Sequence, residues 1–271
     1  DVTGTNTNTV PAPPQNTIKI LVCGDSITQG AEGDFTWRYR LWEWFRSNQF
    51  TSLSIDHLSP ALEYVGPYNG TLPSSIGPTN LDTATLATWG TYAPQVDPAF
   101  SPGGGSSHFA VYGRPAWLVV DALQQQVATY QPDLVILHLG FNDFAWWTLH
   151  ANDLLESMQK LVFMARLGRR DVKLFIADVS HRLLVLGRED IPGTTDEYNA
   201  MLAIKVREWS TPESPVTIVK VSEDYDCHVE ACPAGADGLH PNALGDFQIA
   251  RAYTRVLHEQ FLFGTGPLEV P

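Results

Sequence analysis

The sequence predicts an α/β protein, a three-layer α/β/α sandwich around a central, mostly parallel five-stranded sheet. Three observations carry this expectation. Five short apolar runs are each bounded by Gly, Pro, Asn or Asp, longer stretches with helical spacing of apolar residues lie between them, and the two kinds alternate along the chain. Such alternation places parallel strands in the middle, with helices covering both faces.

In chain order the first strand is expected at Ile18–Val22, followed by a helix over Thr36–Ser47 and a strand at Leu62–Val65. The stretch Pro67–Ser107 then breaks the rhythm. It is rich in Pro, Gly, Thr and Ser without periodicity, and reads as a long insertion packed over the carboxyl edge of the sheet, as a binding loop or lid. The rhythm resumes with a helix over Ala116–Tyr130, a strand at Leu134–Leu139 and a helix over Leu154–Leu167. A strand at Val172–Ala177 precedes a helix over Thr195–Trp209, whose opening Thr194-Thr195-Asp196-Glu197 reads as a cap. The last strand is expected at Val216–Val221 and the last helix at Ala243–Phe261.

Hydrophobic residues make up 44% of the 271 positions and charged residues 17%, enough apolar material for one large core. A single domain over residues 17–271 is therefore expected, after a flexible Thr/Asn/Pro-rich segment at 1–16. That segment reads as a mature N-terminus left by a removed signal peptide, which implies a secreted, extracellular protein. The formal net charge of -13 argues against nucleic acid as a partner, because phosphate would be repelled. No apolar run approaches the roughly 20 residues that span a bilayer, so membrane insertion is not expected.

The three cysteines lack the paired spacing of a metal site, and no metal is expected. Cys227 and Cys232 lie five apart in a Gly/Pro/Asp-rich loop and suit a local disulfide, contributing roughly 2 kcal/mol by chain entropy. Cys23, within an apolar run, reads as a buried thiol. The sequon Asn69-Gly70-Thr71 is a candidate N-glycosylation site, although such tripeptides also arise by chance.

Candidate chemistry sits at strand ends. The first strand runs into Gly24-Asp25-Ser26-Ile27-Thr28-Gln29-Gly30, which brings the Ser26 hydroxyl to the carboxyl edge of the sheet, where open α/β folds bind ligands. Taken alone, Gly-Asp-Ser is also an ordinary turn. A serine nucleophile needs a base, and Asp237-Gly238-Leu239-His240 offers a carboxylate three positions before an imidazole. At that spacing Asp237 can hold the Nδ1 hydrogen and leave Nε2 to accept the serine proton. Gly140-Phe141-Asn142-Asp143, directly after a strand, offers the Asn142 amide to an oxyanion, where one fixed donor is worth roughly 3 kcal/mol of barrier. Trp146 and Trp147, just beyond it, offer a flat wall for a sugar ring or an acyl chain.

The order Gly24-Asp25-Ser26, Gly140-x-Asn142-Asp143 and Asp237-x-x-His240 resembles the SGNH (GDSL-like) hydrolases over most of the chain. The resemblance implies their flavodoxin-like sandwich, with Ser26 as nucleophile and Asp237 and His240 completing a triad. It also implies an oxyanion hole built from the Ser26 amide, a glycine amide and Asn142. Gly113, in His108-Phe109-Ala110-Val111-Tyr112-Gly113-Arg114, is the first choice for that glycine, with Gly103, Gly104 and Gly105 as alternatives. Asp25, beside the nucleophile, is expected to contact substrate together with Trp146 and Trp147.

The first block, followed by Arg38-Tyr39-Arg40 and Tyr64-Val65-Gly66, is similar to carbohydrate esterase family 3, whose members include acetyl xylan esterases. That family usually has Gly before its Tyr-Arg pair and Thr between the Gly and Asn of the third block. Here Trp37-Arg38 and Phe141 stand in those places. The implied activity is cofactor-free hydrolysis of a small acyl ester, acetyl on a polysaccharide, by a monomeric serine esterase. Two other readings stay open: a lipase or phospholipase-like esterase for longer acyl chains, and an inactive carbohydrate-binding protein on the same fold.

Overall fold

The computed structural model describes residues 17–48, 61–74, 90–100 and 105–271. Residues 1–16, Gly103 and Gly104 lie outside the described residues, as does much of the Pro67–Ser107 insertion. The strands are β1 (Thr17–Gly24), β2 (Ala61–Val65), β3 (Phe109–Ala110), β4 (Leu134–His138), β5 (Lys173–Ala177) and β6 (Val216–Val219). All belong to one sheet of order β2-β1-β4-β5-β6, and every pairing along it is parallel. The five expected strands are present, and β3 adds a two-residue sixth that pairs with the end of β1 beyond the reach of β2.

The main helices are α2 (Trp37–Asn48), α3 (Val120–Tyr130), α5 (Ala151–Gly168), α6 (Ile191–Trp209) and α8 (Ala243–Phe261). Helices α3, α5 and α6 pack in one group and α2 with α8 in another. Successive side chains on a strand point to opposite faces, and all five residues of β4 are buried, so helices cover the sheet on both sides.

Three short helices escaped the sequence reading: α1 (Ser26–Gln29), α4 (Phe141–Ala145) and α7 (Val221–Asp224). Each has four or five residues, too few to show a period. The start of α6 also differs from expectation. It begins at Ile191, because Pro192 fits a first turn where its missing N–H leaves no bond unmade, and the Thr194 hydroxyl donates back to the Asp190 carbonyl at 3.0 Å. The α3 region opens as a 3₁₀ turn over Ala116–Val119 before becoming α-helical.

Strand β1 is where the order reverses, with β2 on one side and β4 on the other. The crevice at their carboxyl ends is the topological switch point of such a sheet. Gly24 of β1 pairs with His138 of β4, so the two strands end level and the segments that follow them lie side by side.

Candidate active site

The turn after β1 is built without slack. A Cβ on Gly24 would collide with the Thr28 side chain, so only glycine lets the chain fold back so closely. Asp25 caps α1, its Oδ1 accepting the Ile27 N–H at 3.0 Å while its carbonyl accepts from Thr28 and Gln29. Arg38, fully buried on α2, holds this turn from behind. Its guanidinium donates to the carbonyls of Thr28 (2.8 Å), Ser106 (2.9 Å) and Gln29 (3.3 Å) and to the Tyr92 hydroxyl (3.0 Å).

The described parts of the insertion belong to the same support. The Leu72 N–H donates to the Gly30 carbonyl, the Glu32 N–H to Leu72, and the Gly33 N–H to Thr91. None of these insertion residues lines the cleft above Ser26. Among the described residues the insertion therefore buttresses the turn and does not roof it.

Ser26, 6% exposed, meets the loop before α8. Its Oγ is 2.9 Å from His240 Nε2, and His240 Nδ1 is 2.7 Å from Asp237 Oδ2. With Nδ1 protonated and donating to Asp237, Nε2 is the acceptor that faces the serine hydroxyl. The Asp237 carboxylate also accepts the N–H groups of Leu239 (3.1 Å) and His240 (2.9 Å). Partial burial pushes the Asp237 carboxyl up, yet the hydrogen bonds and charge of His240 outweigh it and hold it below the usual carboxylate range. The ring of Tyr112 stacks on the imidazole at 5.4 Å, and its N–H is fixed by the Gln29 side chain at 2.8 Å.

The loop that carries Asp237 and His240 owes its shape to a few anchors. A disulfide joins Cys227 to Cys232, the Tyr225 hydroxyl donates to the Leu239 carbonyl at 2.7 Å, and Asn242, one residue beyond Pro241, caps α8.

Asn142 comes from α4, which opens at Gly140 with φ of 132°, a conformation that favours glycine; a side chain there would also meet Val179 and Leu154. The Asn142 amide donates to Asp25 Oδ2 at 2.9 Å and makes a longer approach, 3.4 Å, to the Arg114 carbonyl. The backbone N–H groups of Ser26 and Gly113 have no partner among the described residues, and Ser26, Gly113 and Asn142 line one cleft. Gly105 does not compete with Gly113, since its N–H is spent on the Ala99 carbonyl at 2.7 Å.

Asp25 is placed differently from expectation. It is 2% exposed, both carboxylate oxygens are engaged by Ile27 and Asn142, and it does not line the cleft. Its carboxylate therefore lies beneath Asn142, bonded to it, and does not face the cleft where the sequence reading expects it. Burial, reinforced by the nearby Asp143 carboxyl, pushes Asp25 up to about 7 against the opposing pull of its hydrogen bonds. Asp143 is raised to about 7 in the same way by burial, while it accepts the Ala116 N–H at 2.8 and 3.1 Å.

The cleft has a volume of about 650 Å³. Trp146 and Trp147 form part of its wall and are 64% and 44% exposed. Tyr112 and Arg182 also line it, although no motif marks them in the sequence. Tyr112 has one signal, its place directly before Gly113. Away from the cleft, Cys23 is buried and its thiol is pushed up to about 12 by burial. Asn69 is half-buried and its amide oxygen accepts from the Ser107 hydroxyl at 3.1 Å. Among the described residues no cluster of three His, Cys, Asp or Glu side chains could hold a metal ion, and no helix is long and apolar enough to cross a membrane.

No protein-family model matches the sequence, and no curated protein matches it either. Solved structures do. A carbohydrate esterase family 3 protein from Talaromyces cellulolyticus shares 22% identity over 87% of this chain and 94% of its own, with a TM-score of 0.63. A family 3 carbohydrate esterase from Clostridium thermocellum shares 21% identity over 92% of this chain and 100% of its own, with a TM-score of 0.61. An acetyl esterase variant determined with acetate ion shares 21% identity over 86% and 92% of the two chains, also at 0.61. The chain has the SGNH hydrolase fold. Within this fold, Ser26 follows β1, Asn142 follows β4 and the Asp237/His240 loop precedes α8, so three segments remote in sequence converge on one sheet edge.

Proposed function

We propose that this protein is a secreted serine esterase that removes small acyl groups, principally acetyl, from carbohydrate. The observation that carries this reading is the hydrogen-bonded line Asp237, His240, Ser26, which opens onto a cleft beside the N–H groups of Ser26 and Gly113, unpartnered among the described residues. In the first half-reaction His240 Nε2 takes the Ser26 hydroxyl proton as Oγ attacks the ester carbonyl carbon. The tetrahedral oxyanion is held by the Ser26 and Gly113 N–H groups and the Asn142 amide. When it collapses, the bond to the alcohol oxygen breaks and His240 returns the proton to that oxygen, leaving an acyl group on Ser26. Water, deprotonated by His240, then attacks the acyl carbon, and the acid leaves as Oγ regains a proton. No step draws on a metal or an organic cofactor.

Acetyl and carbohydrate are favoured by two observations. The similar folds include family 3 carbohydrate esterases and an acetyl esterase determined with acetate ion. The cleft wall beyond Asn142 is built from two exposed indoles, the kind of flat apolar surface on which a sugar ring stacks. Secretion rests on the Cys227–Cys232 disulfide, which persists in oxidising compartments. The same reading takes residues 17–271 as one domain, the protein as a monomer and Asn69 as a glycan acceptor.

A fluorophosphonate probe and a chain-length series of aryl esters test the assignment together. Ser26 should be labelled in the folded protein, and turnover should fall beyond about butyryl esters as the acyl pocket closes. Sustained turnover of long acyl chains would favour a lipase-like esterase, and absence of labelling would leave only an inactive binding protein on this fold.

A further inference from the structure

Outside the cleft, Trp147 also walls a second groove of about 420 Å³, together with Trp117, Leu149 and the α5 residues Asp153, Glu156, Ser157 and Lys160. The two depressions thus share one indole. The Trp117 and Trp147 rings meet edge to face at 5.1 Å and 87°, forming an open corner in which Trp117 is 39% exposed. The opposite side of the groove is polar. The Lys160 ammonium and Glu156 carboxylate pair at 2.7 Å, and an Asp153 carboxylate oxygen accepts the His150 N–H at 2.9 Å.

This corner is tied to the reacting groups by very short paths. The Trp146 and Trp147 N–H groups both donate to the Asn142 carbonyl, and the Leu149 N–H donates to the Asp143 carbonyl. On the other arm, the Asp143 carboxyl holds the Ala116 N–H, one residue before Trp117. Asn142 and Asp143 therefore set both indoles while Asn142 faces the cleft.

We infer that the groove bounded by Trp117, Trp147 and the first turns of α5 is a second sugar subsite, which holds the pyranose ring next to the acyl-bearing one in a neutral oligosaccharide. The inference rests on the carbohydrate esterase reading above. A sugar presents an apolar ring face to indoles and a rim of hydroxyls to carboxylate and ammonium groups, and this groove offers both surfaces. An extended acyl chain fits it poorly, because it would strip water from Asp153, Glu156 and Lys160 and return no hydrogen bonds. An anionic polysaccharide is disfavoured as well, since two carboxylates face a single lysine in a chain of net charge -13.

The test uses the intact protein with 4-nitrophenyl acetate and with acetylated β-1,4-linked oligosaccharides from one to six rings. The oligosaccharides are taken from the xylose, mannose or N-acetylglucosamine series, whichever the wild type deacetylates fastest. Wild-type kcat/KM should rise about tenfold from one ring to three, and Trp117→Ala should abolish most of that rise through KM. The same variant should keep its aryl acetate kcat/KM within about twofold, and Glu156→Gln should lose less than Glu156→Ala on the longer chains. A flat response to chain length, equal losses on both substrates, or aryl acetate turnover with no deacetylation of any oligosaccharide would overturn the subsite. Failure to turn over any ester would instead sink the esterase reading itself.

Discussion

Ser26 stands 6% exposed on a turn that the sheet and a buried arginine hold in place, whereas Asp237, at the far end of the same hydrogen-bonded line, leaves 58% of its side chain in water. The Ser26 side takes its precision from the core. Gly24 packs against Thr28, Asp25 caps α1 and aims Asn142, and Arg38 gathers carbonyls from three separate segments. The Asp237/His240 side takes its precision from the loop itself, through three bonds to one carboxylate, a tyrosine hydroxyl, a helix cap and a disulfide between residues five apart. A rigid hydroxyl thus meets a locally braced imidazole. Perturbing the first side should damage chemistry through buried charge, while perturbing the second should damage it through position.

The contrast is open to attack from both ends. Ser26→Ala should lower kcat by about 10⁶-fold and leave the melting temperature essentially unchanged, since it removes one hydroxyl. Steady-state kinetics and thermal unfolding check both halves, and residual activity near wild type would move the nucleophile elsewhere. Asp237→Asn should cost about 10³- to 10⁴-fold in kcat with KM little changed, because the amide would favour the wrong imidazole tautomer.

Asp25→Asn should reduce kcat by about 10- to 100-fold, as its amide would face the Asn142 amide donor to donor. It should also alter the pH dependence of stability. The folded pKa of Asp25 is raised to about 7, so wild-type stability from this group is fullest below the ordinary carboxylate range and declines as pH rises towards 7. The variant should therefore gain relative stability between acid and neutral pH, and denaturant melts across that window would expose an unchanged difference. The smallest effect is expected on the base side. Replacing Cys227 and Cys232 with Ser should cost roughly 2 kcal/mol of stability, and kcat should fall by less than about tenfold, because the hydrogen bonds of the loop remain. A larger loss of activity than of stability would mean that the disulfide, and not Asp237, positions the imidazole.

What was legible in the sequence follows the same division. Long elements were visible because apolar residues repeat over ten or more positions, and α8 matches its expected Ala243–Phe261 bounds. Asp237 and His240 were visible as a pair because their contact closes within one loop. The short helices α1 and α4 were not, since four or five residues hold no period, and so the sequence shows Asn142 only as a residue directly after a strand. The burial of the Asp25 carboxylate was not legible, because position next to Ser26 does not reveal which way a side chain points. Tyr112 and Arg182 join the cleft through tertiary packing alone, and no local spacing announces that.

The bond between Ser26 and His240 spans 214 positions. During synthesis Ser26 emerges long before Asp237 and His240, which follow only after all strands of the described sheet have left the ribosome. A nascent or prematurely ended chain that stops before Asp237 carries a serine with nothing to deprotonate it. Ser26 therefore gains its hydrogen-bonded imidazole partner only after every strand of the described sheet has been made.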